Sequence, residues 1–260
     1  MFLILEEFLK YPAGKGAIMP GKDDLLKVLN IRFDFMLKKR GGIDVRVYTN
    51  KDDVYYHFLI PTETLERNNV YDVVIKFTPG DKSNLLDKTY KQYNIEFFSN
   101  CPSFVFTYAY VANLNGYFIK ELAGKYEPET LKYPPTSRNP GNVFGYEKSI
   151  YFACRYLSNI DTQLLYKSHV EKIAQPVTKN TFKDIKTISV VLEEIKREKK
   201  IQKEEKKRKP YEKLGKKEKK LLDEKINKVS GNTKSNVNII QKTKSTNKKI
   251  NKIKPVKKKR

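Results

Sequence analysis

An α+β domain followed by a long basic extension is the architecture that the 260-residue sequence predicts. Three observations carry it. Between residues 43 and 116, short runs of β-branched and aromatic residues alternate with Gly, Pro and Asn-Gly punctuation, the pattern of an antiparallel sheet. After residue 147, apolar residues recur at helical spacing. Charge and aromatic content then separate along the chain. Residues 1–195 carry 26 basic and 23 acidic side chains, whereas residues 196–260 carry 27 basic and 7 acidic. Of the Phe and Tyr residues, only Tyr211 lies beyond residue 195. The first part can therefore bury a core. The second buries too little apolar surface to offset its ordering entropy. The expected division is a globular α+β domain over 1–195 and a Lys-rich, partly helical, then disordered tail over 196–260. That tail holds +20 of the formal charge of +23.

Residues 1–11 fit either a short helix or an entering strand. The Gly- and Pro-rich stretch at 12–21 reads as a loop. In 22–40, Leu25, Leu29, Phe33, Met36 and Leu37 have helical spacing, while Ile31, Phe33, Phe35 and Leu37 alternate. The expectation is a short helix running into a strand. Gly41-Gly42 is then a hairpin turn, and 50–53 turns again between "IDVRVYT" and "VYYHFLI". A helical turn at 62–68, a strand at 71–77 and two more strands, "YNIEFFS" and "SFVFTYAYVA", follow. Asn115-Gly116 is a turn, and the proline-dense stretch 125–142 an extended loop. The sheet is thus five or six antiparallel strands. Two or three helices come after it. The first carries Ile150, Ala153, Cys154 and Leu157 on one side, and the second starts at a cap, Asp161. The third is a long helix from about residue 182, with Ile185, Ile188, Val191, Leu192 and Ile195 turned to the domain, interrupted at Pro210 and Gly215.

Few patterns carry catalytic chemistry. Gly16 to Lys22 matches GxxxxGK of a phosphate-binding loop, but Asp23 stands where a hydroxyl should bind magnesium and Pro20 removes a cradle N–H. An ordinary loop explains it better. His57 and His169 are the only histidines, and neither has neighbours at metal-ligand spacing. Cys101 and Cys154 form no CxxC and read as buried free thiols of a reducing compartment. No cofactor or metal site is indicated. Asp72, Glu96 and Lys76 lie in or near neighbouring strands, so an alternative reading lets them converge as a metal-dependent nuclease site. Phe104, Phe106, Tyr108 and Tyr110 alternate. On a strand they would share one face, as core, as a partner contact or as a stacking platform for single-stranded bases.

The basic residues point to a polyanion. Lys206, Lys207, Arg208, Lys209, Lys216, Lys217, Lys219, Lys220, Lys248, Lys249, Lys252, Lys254, Lys257, Lys258, Lys259 and Arg260 can neutralise phosphates without reading sequence. "FFSNCPSFVFTYAYVANLNG" and "NPGNVFGYEKSIYFACRYL", within residues 54–160, resemble small virion proteins of bacteriophages that infect low-GC hosts. The resemblance implies a structural or genome-associated role and carries over no catalytic residue. The expected function is a non-enzymatic structural protein. Its domain docks on a protein assembly, and its tail binds nucleic acid or another polyanion. The alternatives are the nuclease and a single-strand-binding protein. No apolar stretch reaches a membrane span, and Glu6-Glu7 spoils a signal peptide, so the expected location is the cytoplasm, of a host cell, or a virion.

Overall fold

The computed structural model describes residues 3–10, 22–40, 42–62, 70–80, 87–135 and 147–212. The chain divides into two units, Met1–Glu198 and Lys199–Arg260. The first is α+β and is built on a five-stranded sheet of order β4-β3-β2-β1-β5. Strands β1 (Asp44–Asn50), β2 (Asp53–Pro61), β3 (Val70–Thr78) and β4 (Asn94–Ser99) form an antiparallel meander. β5 (Gln175–Pro176) adds two residues parallel to the end of β1, so the sheet is mixed.

Alternation along these strands gives the sheet two unlike faces. Val47, Val54, Tyr56, Phe58, Val73, Ile75, Phe77 and Phe97 form an apolar face and are buried. Helix α1 (Leu5–Lys10) packs there through Phe8, whose ring centre lies 4.8 Å from that of Phe97. So does the segment after helix α6 (Lys148–Arg155), where Tyr156 meets Phe58 and the Leu164 carbonyl accepts the Tyr56 hydroxyl at 2.6 Å. The other face carries Tyr55, His57, Asp72, Lys76, Glu96 and Phe98, and is covered by residues 120–126 and 182–188.

Helix α2 (Lys22–Arg40) is unbroken. Leu29, Phe33 and Met36 are buried at i, i+4 and i+7, while Ile31 and Phe35, which an alternating strand would have buried, are exposed. The expected strand is therefore absent, and Gly42, at φ 121°, makes a helix-to-strand junction in place of a hairpin turn. "SFVFTYAYVA" is also helical, as α3 (Pro102–Thr107) and α4 (Ala109–Leu114). Pro102 sits in the first turn, and Val105, Ala109 and Ala112 recur at helical spacing on the buried side. A 3₁₀ turn (Lys120–Lys125) leads into the proline-dense stretch, which holds helix α5 (Pro128–Lys132).

Ile150, Ala153 and Cys154 of α6, and Leu157 of the π-helical turn that follows it (Tyr156–Ile160), are buried as expected, and the Glu147 carboxylate caps α6 by accepting the Ser149 and Ile150 N–H groups at 2.8 and 3.2 Å. Asp161 stands at the N-cap position, but its side chain makes no capping hydrogen bond. The expected second helix splits into a 3₁₀ turn (Thr162–Leu165) and α7 (Lys167–Ile173). The break follows from tertiary pairing: Tyr90 donates its N–H to Leu165 O at 2.9 Å, and Lys167 donates to Lys88 O at 2.9 Å. Helix α8 (Ile188–Glu212) buries Ile188 and Val191 and runs through Pro210 without ending there. Ile185, just ahead of it, is also buried, whereas Leu192 and Ile195 are only half-buried. Gly215 and the expected helical turn between residues 62 and 68 lie largely or wholly outside the described residues.

The β1–β2 turn places Lys51 at φ 54°, a region costing a side chain about 1 kcal/mol or more. Lys51→Gly is expected to raise stability by roughly 0.5–1 kcal/mol. Urea denaturation should show a higher midpoint at unchanged slope.

Candidate functional site

The polar face of the sheet gathers most of the buried ionisable groups. His57 Nε2 lies 2.8 Å from Asp72 Oδ1, and Asn100 Nδ2 donates to Asp72 Oδ2 at 2.7 Å. Asn100 Oδ1 accepts the Asp72 N–H at 2.9 Å, and its amide also donates to Lys186 O at 3.3 Å. All three residues are buried, and the ring of Phe182 stands edge-on to His57. The pair has acid–base chemistry, and both of its members are buried.

Four residues along the same strand, Lys76 Nζ donates to Glu121 Oε1 at 2.9 Å and pairs with Asp53 Oδ2 at 3.2 Å. Glu96 faces it across the ladder. Burial works against the ammonium, but the Glu121 hydrogen bond and the Glu96 and Asp53 charges together hold its pKa above the ordinary value. Lys76 is therefore a fixed cation and not a nucleophile. Burial raises the Glu96 carboxyl. Glu121 also loses solvent, yet its bonds from Lys76 hold it low. Tyr55 donates to Glu121 at 3.1 Å, and burial in the main pushes its phenol up to about 12.

The expected convergence of Asp72 and Glu96 does not occur. Both point to the polar face, but Asp72 stands four residues from Lys76, the partner of Glu96, about 13 Å along the ladder. Each Asp72 oxygen already has its own partner. Among the described residues no group of three His, Cys, Asp or Glu side chains could hold a metal.

The expected aromatic face is likewise divided. On helices the two-residue spacing turns successive side chains about 200° apart. Phe104 is buried, Tyr108 and Tyr110 are half-buried, and Phe106 is 43% exposed. Phe106 and Tyr110, one turn apart, line a shallow recess of about 100 Å³ with Tyr133 and Pro135. Of the basic candidates, Lys206, Lys207, Arg208 and Lys209 lie on the last turns of α8, in the second unit. Lys216, Lys217, Lys219, Lys220 and those from Lys248 to Arg260 lie outside the described residues, as does the loop over 12–21.

One feature has no precursor in the sequence pattern. A cleft of about 660 Å³ runs beside β1, lined by Ile43 to Tyr48 on one wall and by Tyr156, Asp161, Leu164, His169, Ile173 and Gln175 on the other. Its charged side chains, Asp44, Arg46 and Asp161, come from segments more than 100 residues apart, and no local motif could announce it. Comparison with protein-family models, curated proteins and solved structures finds no match.

Two outcomes check this geometry. Phe104→Ala is expected to cost about 3–5 kcal/mol, and Phe106→Ala less than about 1 kcal/mol, in urea unfolding. The phenol of Tyr55 has a folded pKa of about 12, above the ordinary 10, so its contribution to stability is complete below pH 10. It is lost as pH rises through 12, because the unfolded chain ionises first. Tyr55→Phe should flatten the alkaline decline in stability and remove one late-titrating phenol from a tyrosinate absorbance titration.

Proposed function

We propose that the protein is a non-enzymatic interaction module. Its α+β domain docks on a protein partner, and its Lys-rich arm holds nucleic acid or another polyanion without reading sequence. The observation that carries this reading is the charge division: net +3 over residues 1–195 and net +20 over the 65 residues that follow. An excess of that size releases condensed counterions from a phosphate backbone and binds strongly at low salt. The arm has one aromatic residue, Tyr211, so it cannot stack successive bases. Specificity therefore belongs to the domain. The resemblance to virion proteins agrees with a role in a nucleoprotein assembly. The nuclease reading draws no support from the separated Asp72 and Glu96, and the single-strand platform none from a helical Phe104–Tyr110.

The test is a salt titration of binding to a labelled DNA duplex and to a second duplex of unrelated sequence. The protein is used full length, as the native chain and with Lys248, Lys249, Lys252, Lys254, Lys257, Lys258, Lys259 and Arg260 changed to Gln. Both duplexes should bind the native chain equally. The changed chain should bind more weakly, with the log–log salt slope reduced by about 0.9 for each phosphate that the arm no longer neutralises. Equal affinity and equal slope for the two proteins would refute the arm's role.

A further inference from the structure

The two edges of the sheet are treated differently. Along β4 the outer backbone groups are taken up by other chain segments. Ile95 N–H donates to Leu3 O at 2.8 Å, Phe97 N–H donates to Tyr117 O at 2.6 Å, and Phe97 O accepts the Ile119 N–H at 3.2 Å. Along β1, cover stops after two residues. β5 pairs only with Tyr48 and Thr49, and Thr49 O accepts the Val177 N–H at 2.8 Å. In the β1–β2 hairpin Asn50 closes on Asp53 across a two-residue turn, so Tyr48, Arg46 and Asp44 bond inward to β2. Thr49, Val47 and Val45 then turn their N–H and C=O groups outward. The Tyr48–Gln175 pairing takes up the Val47 carbonyl, and no described strand meets the Val47 N–H or either backbone group of Val45. The cleft lies along this same stretch, between the edge and α7, and the run Asp44–Val47 is about 13 Å long, room for roughly four residues of extended chain.

The side chains of the cleft are also without partners. Asp44, Arg46, Asp161 and His169 make no side-chain hydrogen bond or ion pair among the described residues. Both carboxylates act on one point: the Tyr156 hydroxyl is raised by burial first and then by the charges of Asp161 and Asp44. Among the carboxylate and guanidinium groups of the lining, two negative charges stand against one positive.

We propose that the open edge of β1 and its cleft form a strand-addition site for an extended peptide bearing a basic side chain. The N–H and C=O of Val45 and the N–H of Val47 supply hydrogen bonds to any extended chain, and Asp44 with Asp161 selects the lysine or arginine. The site names the partner chemistry of the docking domain and rests on the interaction-module reading. It does not use the basic arm.

The experiment probes the full-length protein with an array of random synthetic heptapeptides. The best binders are remade and titrated by NMR. The selected peptides should be β-prone with at least one Lys or Arg, and should shift the Val45 and Val47 amides. Methylating a central peptide nitrogen should weaken binding at least tenfold. The protein with Asp44→Asn and Asp161→Asn together should lose roughly tenfold while keeping its fold and its DNA binding. Absence of enriched peptides, enrichment of acidic ones, indifference to methylation, or shifts centred on the Phe106–Tyr133 recess would each overturn the proposal. Loss of DNA binding in the arm variant would bear on the arm alone.

Discussion

Strand β3 carries two ionisable side chains, Asp72 and Lys76, into a sheet that is covered on both faces, and the polar half of the domain is arranged around that constraint. A buried charge without partners costs several kcal/mol. Here each has them. Asp72 takes His57 from β2 and Asn100 from beyond β4, and Asn100 reaches on to the Lys186 carbonyl. Lys76 takes Asp53 from the start of β2 and Glu121 from the 3₁₀ turn. Lys125, at the end of that turn, donates to the carbonyls of Lys183 and Ile185 at 3.1 and 2.7 Å. One requirement, the neutralisation of two charges, thus fastens the 120–126 and 182–188 segments onto the sheet and sets where α8 begins.

The opposite face solves a simpler problem. It is apolar apart from Ser99, whose hydroxyl meets that of Ser149 on α6 at 3.1 Å, so helices α1 and α6 and the chain after α6 cover it mainly by packing, with the Tyr56 hydroxyl directing its one donor to Leu164 O. The Glu147 cap is buried, and burial holds its carboxyl above the ordinary range despite its bonds to Ser149 and Ile150. Burial also pushes up the thiols of Cys101 and Cys154, both free, which makes them poor nucleophiles. With both faces closed, the place where this domain can offer hydrogen bonds to another molecule is an edge. The β4 edge is occupied, whereas β5 covers only the end of the β1 edge.

The meander was legible in the sequence because each strand is bounded by a strong signal: Asp52-Asp53 before β2, Pro79-Gly80 after β3, and alternation in between. The α+β class followed from it. The errors share one cause. In "IRFDFML" and "SFVFTYAYV" aromatic and β-branched residues alternate, and β-propensity reports fit to a half-buried surface more than a backbone preference. Those residues found their buried surface on helices, with Phe33 and Met36 on α2, and Phe104 and Val105 on α3. Pro102 in a helical first turn was the clue that the second run was no strand. The polar network was half visible: Asp72, Lys76 and Glu96 were recognisable as a group, but their separation along the ladder depends on register, and Glu121 reaches Lys76 only through the fold. The β1 cleft was invisible. It exists because β5 stops after two residues, and nothing in "QPV" announces its length.

The outer edge of β1 is open at Val45 and at the Val47 N–H while the inner edge is fully bonded, and the proposed docking role of the domain stands on that difference. Amide hydrogen exchange of the free, full-length protein reads it residue by residue. Val45 and Val47 are expected to exchange much faster than Arg46 and Tyr48, although all four lie in one strand. Equal protection across the four would mean that the edge is already covered, and would contradict the account.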